Sequence, residues 1–170
     1  MRIAPLIWTA WLAVAAAGCA GYTLGPTSGA IAGARSIQVN FFQNKTPEPR
    51  LIEAMASSLR KNLQQDGTFR LDTRGGGDLI VNGVITKYDR AGLSFQPTDI
   101  LTVRDFTLRI TARLTVIERA TGKVILDKDV SGETAVRVGA DMASAEREAV
   151  PMATDDLAHN ATSLLAEGTW

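Results

Sequence analysis

The single cysteine of the chain, Cys19, is the residue whose position most clearly predicts covalent chemistry. It follows Ala16, Ala17 and Gly18, and these small residues end an apolar stretch that begins just after Arg2. A charged start, an apolar middle and a small-residue end are typical of an export signal. The stretch is too short for a comfortable membrane-spanning helix, which needs ~20 residues. A cysteine at this point resembles the bacterial lipobox, in which the thiol becomes a thioether to diacylglycerol and cleavage frees the amine.

We therefore predict a signal peptide over residues 1–18 and a lipidated N-terminus with a Gly-, Ser- and Thr-rich linker over residues 19–35. Two or more acyl chains would anchor the protein stably to a membrane. Ala20, and not an aspartate, follows the cysteine, which favours the outer membrane over retention at the inner membrane, with the protein facing the periplasm. The alternative interpretation is a plain secretory signal followed by an unmodified cysteine.

Basic side chains are the second group that could do chemistry, because an arginine fork binds phosphate through two parallel charge-assisted hydrogen bonds. Arg109 and Arg113 are four residues apart in a predicted strand, so we expect them on one sheet face about 13 Å apart. The alternative is a solvated face on which each cation pairs with Asp or Glu across the sheet. The basic positions are Lys87, Arg90, Arg104, Arg109, Arg113, Arg119, Lys128 and Arg137.

Catalysis and metal binding find little support in the composition. His159 is the only histidine, and its neighbours suggest an ordinary position on a helix surface. Carboxylates do not cluster at metal-ligand spacing, and no serine lies in a Gly-x-Ser-x-Gly turn. Lys and Arg together number 18, as do Asp and Glu, whereas a general nucleic-acid binder would show a basic surplus. We predict a protein that is not an enzyme and that has no metal site, no cofactor and no nucleic-acid partner.

The elements that must position these residues follow from hydrophobic periodicity. Alternation predicts strands over 36–42, with Ile37, Val39 and Phe41 on the buried face, and over 78–89, 102–119 and 124–130, the last with a continuation to 138. Apolar stripes predict helices over 50–65 and 144–167, the second kinked or started by Pro151. Residues 91–100 are predicted as a loop whose Leu93, Phe95 and Ile100 contact either a partner or acyl chains, or tuck onto the core.

The fold class that satisfies these faces is α+β: one domain over residues 36–170, with about four strands in a mixed sheet and two helices packed on one face. Residues 106, 108, 110, 112, 114 and 116 would face the helices, and the Thr-Arg-Thr-Arg-Thr row between 107 and 115 would stay wet or meet a partner.

The order of these segments resembles one family. Cys19–Leu24, Ile37–Thr46, Asp78–Gly83 and the strand Arg104–Val116 are similar to the LptE family of lipopolysaccharide-assembly lipoproteins. The family start is Cys-Gly-aromatic, and here an extra Ala20 intervenes.

The resemblance implies a non-enzymatic outer-membrane lipoprotein with two helices against a four-stranded sheet. It implies a plug inside an LptD-like β-barrel that assists barrel assembly, binds lipopolysaccharide and helps deliver it to the outer leaflet. Family members contact lipopolysaccharide through basic residues near strand-joining loops, for which the candidates are Arg90, Arg104 and Arg137. Candidates for the barrel interface are Arg109, Arg113 and Phe95. The alternative is another small periplasmic lipoprotein, such as a pilotin-like chaperone of a secretin that binds peptide.

Overall fold

The structure is a computed structural model that describes residues 33–96, 99–138 and 141–168, with main chain only at 92–96 and 99–104. The predicted signal peptide, Cys19 and the linker up to residue 32 lie outside the described residues. The strands are β1 Ser36–Val39, β2 Gln43–Asn44, β3 Arg70–Leu71, β4 Leu79–Gln96, β5 Asp99–Glu118 and β6 Val124–Arg137, and the helices are α1 Leu51–Asp66 and α2 Met142–Ala166.

The strands form one mixed sheet. Its order is β3-β1-β4-β5-β6, and β2 also pairs with β4. β1 and β2 run parallel to β4, whereas β4, β5 and β6 are antiparallel neighbours. The predicted α+β class with two helices is confirmed. The predicted number of strands is too low, because the two-residue strands β2 and β3 bring the sheet to six within the described residues.

The hydrophobic core lies between this sheet and the two helices. Phe106, Leu108, Ile110, Ala112, Leu114 and Val116 of β5 are at most 1% exposed, which confirms the alternation predicted for this strand. Leu59 and Leu63 of α1 and Leu157 and Leu165 of α2 close the core from the other side. Pro151 lies inside α2, so it does not mark the first helical residue. The helix begins instead at Met142 and is capped by Asp141, whose carboxylate accepts a 2.7 Å hydrogen bond from the Ser144 N–H.

The prediction for Phe41 is wrong. Phe41 is 84% exposed and Phe42 is 3% exposed. Val39 lies opposite Val81 and Gln43 opposite Val84, so the chain between β1 and β2 contains one residue more than the stretch of β4 beside it. An extra residue reverses which side chains face the core. The Phe42 ring therefore covers Gly83, where an added Cβ would lie 1.9 Å from the ring.

The prediction of a loop over residues 91–100 is also wrong. β4 continues to Gln96 and β5 begins at Asp99, with Phe95 opposite Val103. Glycine and small polar residues in this stretch favour a loop locally, but pairing between the two strands overrides that local preference. β4 and β5 form a hairpin with strands of 18 and 20 residues, roughly 60 Å long.

Candidate functional site: the open face and distal end of the sheet

The sheet face opposite the helices, which we call the open face, carries the polar row of β5. Because cross-strand partners point to the same side of a sheet, the register places Asp89 and Glu133 on either side of Arg109. Arg113 has Asp129 as its neighbour on β6. Each central arginine of this face therefore lies next to a carboxylate.

Both central arginines of the open face, Arg109 and Arg113, are paired. Arg109 donates to Glu133 Oε2 from Nη2 at 2.6 Å and from Nε at 3.0 Å. Arg113 forms a bidentate pair with Asp127, at 2.8 Å and 2.7 Å, and lies 3.5 Å from Asp129. The hydrogen bond from Arg113 lowers the pKa of Asp127, and the same contact raises the pKa of Arg113. The geometry agrees with the interpretation in which these cations pair across the sheet.

A shallow cleft of about 590 Å³ lies on this face beside β6. Four carboxylates line it, those of Asp89, Asp129, Glu133 and Asp156, together with the cations Lys87 and Arg109. Carboxylates thus outnumber cations two to one, so the cleft is unfavourable for a phosphate group.

The distal end of the sheet, where α2 begins and β6 ends, holds two of the predicted glycolipid contacts. Arg90 donates to Glu146 at 3.0 Å, and Arg137 donates to Asp105 at 3.2 Å. Arg90 lies opposite Leu108 on the helix side of the sheet, whereas Arg137 lies opposite Asp105 on the open face. The structure brings Arg90 and Arg137 to the same end of the sheet but on opposite faces.

Glu146 is the organising residue at this end that sequence reasoning missed. It lies in the second turn of α2, accepts a hydrogen bond from the Tyr88 hydroxyl and pairs with Arg90. Burial raises the pKa of the Tyr88 hydroxyl well above its usual range, and the hydrogen bond and charge of Glu146 raise it further. In the helix predicted over 144–167, Glu146 falls in the first turn and complements the helix dipole, whereas in the structure α2 begins at Met142. Its distance from Tyr88 along the chain hides the contact.

The remaining predicted site residues are placed less fully. Arg104 and Phe95 belong to β5 and β4, and the structure describes only their main chain, as it does for Leu93 and Ile100. His159 is exposed on α2, as predicted. Across the described ranges, no group of three or more His, Cys, Asp or Glu side chains could hold a metal ion. Within the same residues, neither helix has the length and apolar character needed to cross a membrane.

Solved structures share this fold at low sequence identity. A protein from Xanthomonas campestris is 12% identical, with 86% of this chain and 90% of that chain covered and a TM-score of 0.57. The hypothetical protein CT253 from Chlamydia trachomatis is 9% identical over 80% and 96% of the two chains, with a TM-score of 0.56. A minor lipoprotein from Acinetobacter baumannii is 14% identical over 78% and 92%, with a TM-score of 0.52. These likenesses show the fold alone.

Sequence comparison identifies the family. No curated protein sequence matches this chain significantly. The model of the LptE family, described as lipopolysaccharide-assembly, matches residues 34–165. That range contains β1 through α2 almost completely, including both the open face and the distal end. The chain therefore belongs to the LptE lipopolysaccharide-assembly family.

Proposed function

We propose that this protein is an outer-membrane lipoprotein, anchored through a lipid on Cys19, that acts in lipopolysaccharide assembly. It sits as a plug in an LptD-like β-barrel, assists assembly of that barrel, and binds lipopolysaccharide for delivery to the outer leaflet. The observation that carries the proposal is the family match over residues 34–165. The protein acts by binding and not by catalysis.

The charge pattern of the open face supports a protein partner on that face. Arg109 and Arg113 already hold carboxylates, so a phosphate would have to displace an existing partner. A barrel lumen is polar and hydrated, and a surface of paired charges and threonines can meet such a wall without exposing an apolar patch. We place the barrel interface on the open face, with Arg109 and Arg113 near its centre.

The distal end is the better position for lipopolysaccharide. The Arg137 side chain is 78% exposed and the Arg90 side chain 54%, and exposed ion pairs contribute only ~0–1 kcal/mol. An anionic headgroup can therefore compete for both guanidinium groups. Because the two lie on opposite faces of the sheet, they would contact two separate phosphates, with Arg104 as the third candidate contact.

The first experiment is purification of the tagged full-length protein from gently solubilised outer membranes. We expect a large β-barrel in stoichiometric amount, and an Arg109→Glu/Arg113→Glu variant should lose it. The matched control is Arg113→Asp/Asp127→Arg, which exchanges the two charges but retains an internal ion pair. If the Arg109→Glu/Arg113→Glu variant still recovers the barrel, the interface does not lie on the open face. Recovery alone, or with a secretin, would overturn the assembly function in favour of a pilotin-like role.

A second experiment tests lipopolysaccharide binding directly. Arg90→Ala and Arg137→Ala should each weaken binding about tenfold, because a charge-assisted hydrogen bond contributes ~1.5–3 kcal/mol and ~1.4 kcal/mol is tenfold in affinity. Affinity should also fall with added salt. Lys128→Ala is the control, since Lys128 is an exposed cation of β6 opposite Leu114, away from the distal end. Equal losses in all three variants would show a general charge effect and exclude the distal site.

A further inference from the structure

β6 forms one edge of the sheet, and the part of β4 beyond its pairing with β2 forms an edge on the other side. An edge strand presents unpaired N–H and C=O groups, which other chains can pair with unless something covers them. Along β6, helix α2 covers part of the edge: Asp156 accepts from the Glu133 N–H at 2.9 Å, and Asn160 donates to the Ser131 carbonyl at 3.0 Å. Both contacts come from side chains of α2, so this edge is closed at its centre.

These contacts also fix which main-chain groups point outward. The peptide groups of Ser131 and Glu133 point away from β5. Those of Gly132, which lies between them, therefore point towards β5 and pair with Ile110. The N–H and C=O of Ile110 therefore point towards β6, and those of its two neighbours in β5 point towards β4. It follows that Tyr88, which lies opposite Ile110, turns its peptide N–H and C=O away from β5.

A second contact gives the same result from the other side of β4. The Lys45 N–H donates to the Ile85 carbonyl at 3.0 Å, so Ile85 faces away from β5. The register shift between Ile85 and Lys87 leaves Thr86 as an extra residue. The main-chain N–H and C=O of Lys87 then point towards β5, and those of Tyr88 and Arg90 point outward, away from β5.

Beyond Ile85, the structure describes no strand paired on the outer side of β4, where these groups point. β2 pairs with β4 only as far as Ile85, and the chain then leaves the sheet to begin α1 at Leu51. Among the residues that the structure describes, none donates to or accepts from the outward peptide groups of Tyr88 and Arg90. The side chains of these two residues are held by Glu146 beneath the sheet, which keeps this stretch of edge in place.

We infer that the edge of β4 at Tyr88 and Arg90 docks an extended segment of the LptD-like barrel protein, which adds a strand to the sheet. This inference rests on the proposed function. A closed barrel wall has no free edge, so the segment is a loop or terminal arm of the partner. Lys87 and Asp89 flank the site on the open face, and a strand with an acidic residue opposite Lys87 and a basic residue opposite Asp89 complements them.

The test is residue-resolved hydrogen–deuterium exchange on the full-length lipoprotein, free and in complex with the copurified barrel. In the free protein the amides of Lys87 and Asp89 should exchange slowly and those of Tyr88 and Arg90 quickly. In the complex the Tyr88 and Arg90 amides should slow by about 100-fold or more. Barrel recovered with both amides still exchanging quickly would overturn the inference and leave the proposed function intact. Slowing in the free protein that grows with concentration would assign the edge to a second copy of this chain.

A pair of substitutions provides an independent measurement. Arg90→Pro removes the outward N–H, which an edge strand tolerates, and Arg90→Gln keeps it. Both variants lose the same guanidinium group, so an effect on lipopolysaccharide is common to both. We expect Arg90→Pro to recover about tenfold less barrel than Arg90→Gln, with equal urea midpoints showing that both fold. Equal recovery would refute strand addition. Loss of the barrel from the unmodified protein would refute the proposed function itself.

Discussion

Replacing Gly132 with alanine should destabilise the protein by about 3 kcal/mol, because α2 lies directly against the main chain of β6 there. A Cβ at this position would lie 2.1 Å from the Leu157 N and 2.5 Å from the Ala153 carbonyl oxygen. Ordinary contacts between heavy atoms are ~3.5–4.0 Å. The obstructing atoms belong to the helix backbone, so no side-chain rotation relieves the clash and α2 must move by more than ~1 Å.

Three contributions set this magnitude. Overpacking costs ~1–3 kcal/mol. The same movement draws Asp156 and Asn160 away from the β6 edge, and each hydrogen bond contributes ~0.5–1.5 kcal/mol. Against these, alanine restricts the unfolded chain and stabilises by ~0.4–1 kcal/mol where the native backbone accepts it. Gly132 is not among the glycines with positive φ, so alanine brings no backbone strain.

Urea unfolding followed by circular dichroism measures the effect, with an unchanged m-value as the check that only stability moved. Gly83→Ala is the matched control, because there the obstacle is the Phe42 ring, and a second substitution, Phe42→Leu, should restore part of the loss. Leu157→Ala should restore nothing in the Gly132→Ala background, since it leaves the helix backbone in place. A Gly132→Ala protein as stable as the parent would refute the close packing of α2 on β6.

The remaining predictions concern three other sites. Phe42→Ala should lower the free energy of unfolding by ~3–5 kcal/mol and Phe41→Ala by less than ~0.5 kcal/mol; equal effects in urea titrations would contradict the shifted register. The pKa of Tyr88 is raised by burial and by Glu146, so its contribution to stability is present below the unfolded pKa of ~10 and is lost as the pH rises above it. Absorbance at 295 nm, which follows tyrosine ionisation, should show Tyr88 ionising at a higher pH than an exposed tyrosine. An ordinary pKa for Tyr88 would count against its burial. The pKa of Asp78 is lowered by hydrogen bonds from the residue that begins β1, so its contribution is present above ~3.9 and is lost as the pH falls. Asp78→Ala should therefore reduce the urea midpoint at pH 7 and match the parent at low pH. If the midpoints of variant and parent differ equally at every pH, the Asp78 carboxylate does not stabilise the fold in this way.

The parts of the fold that the sequence predicts are those whose signal is local. β5 alternates apolar and polar residues from Phe106 to Val116, because one face is buried under helices along that whole length. α1 shows its stripe in the same way, since Leu51, Met55, Leu59 and Leu63 are all buried. In both elements each residue's environment depends on the element's own period, so the sequence contains enough information to assign the buried face.

Features set by pairing between distant segments are not visible locally. The burial of Phe42 in place of Phe41 depends on the single extra residue between the points where β1 and β2 pair with β4. The partner strand β4 lies some forty positions further along the chain. The hairpin beyond residue 91 depends likewise on β5 as partner. The choice of Asp127 as the bidentate partner of Arg113, although Asp129 is its direct cross-strand neighbour, follows from side-chain reach. Periodicity can show that these residues share a face but cannot show which of them meet.

The ion pairs along β5 and β6 differ between the middle of the open face and its distal end. Arginines at the middle of the open face are held by carboxylates of the neighbouring strand, at 2.6 Å for Arg109 and 2.7 Å for Arg113, so this part of the face offers little free positive charge. At the distal end Arg137 is bound less closely, at 3.2 Å, and is more exposed than either. A mobile anion exchanges most readily where an existing pair is longest and most hydrated, because less interaction is lost on displacement. This difference between the centre and the end of the sheet supports the positions proposed above for the barrel interface and for lipopolysaccharide.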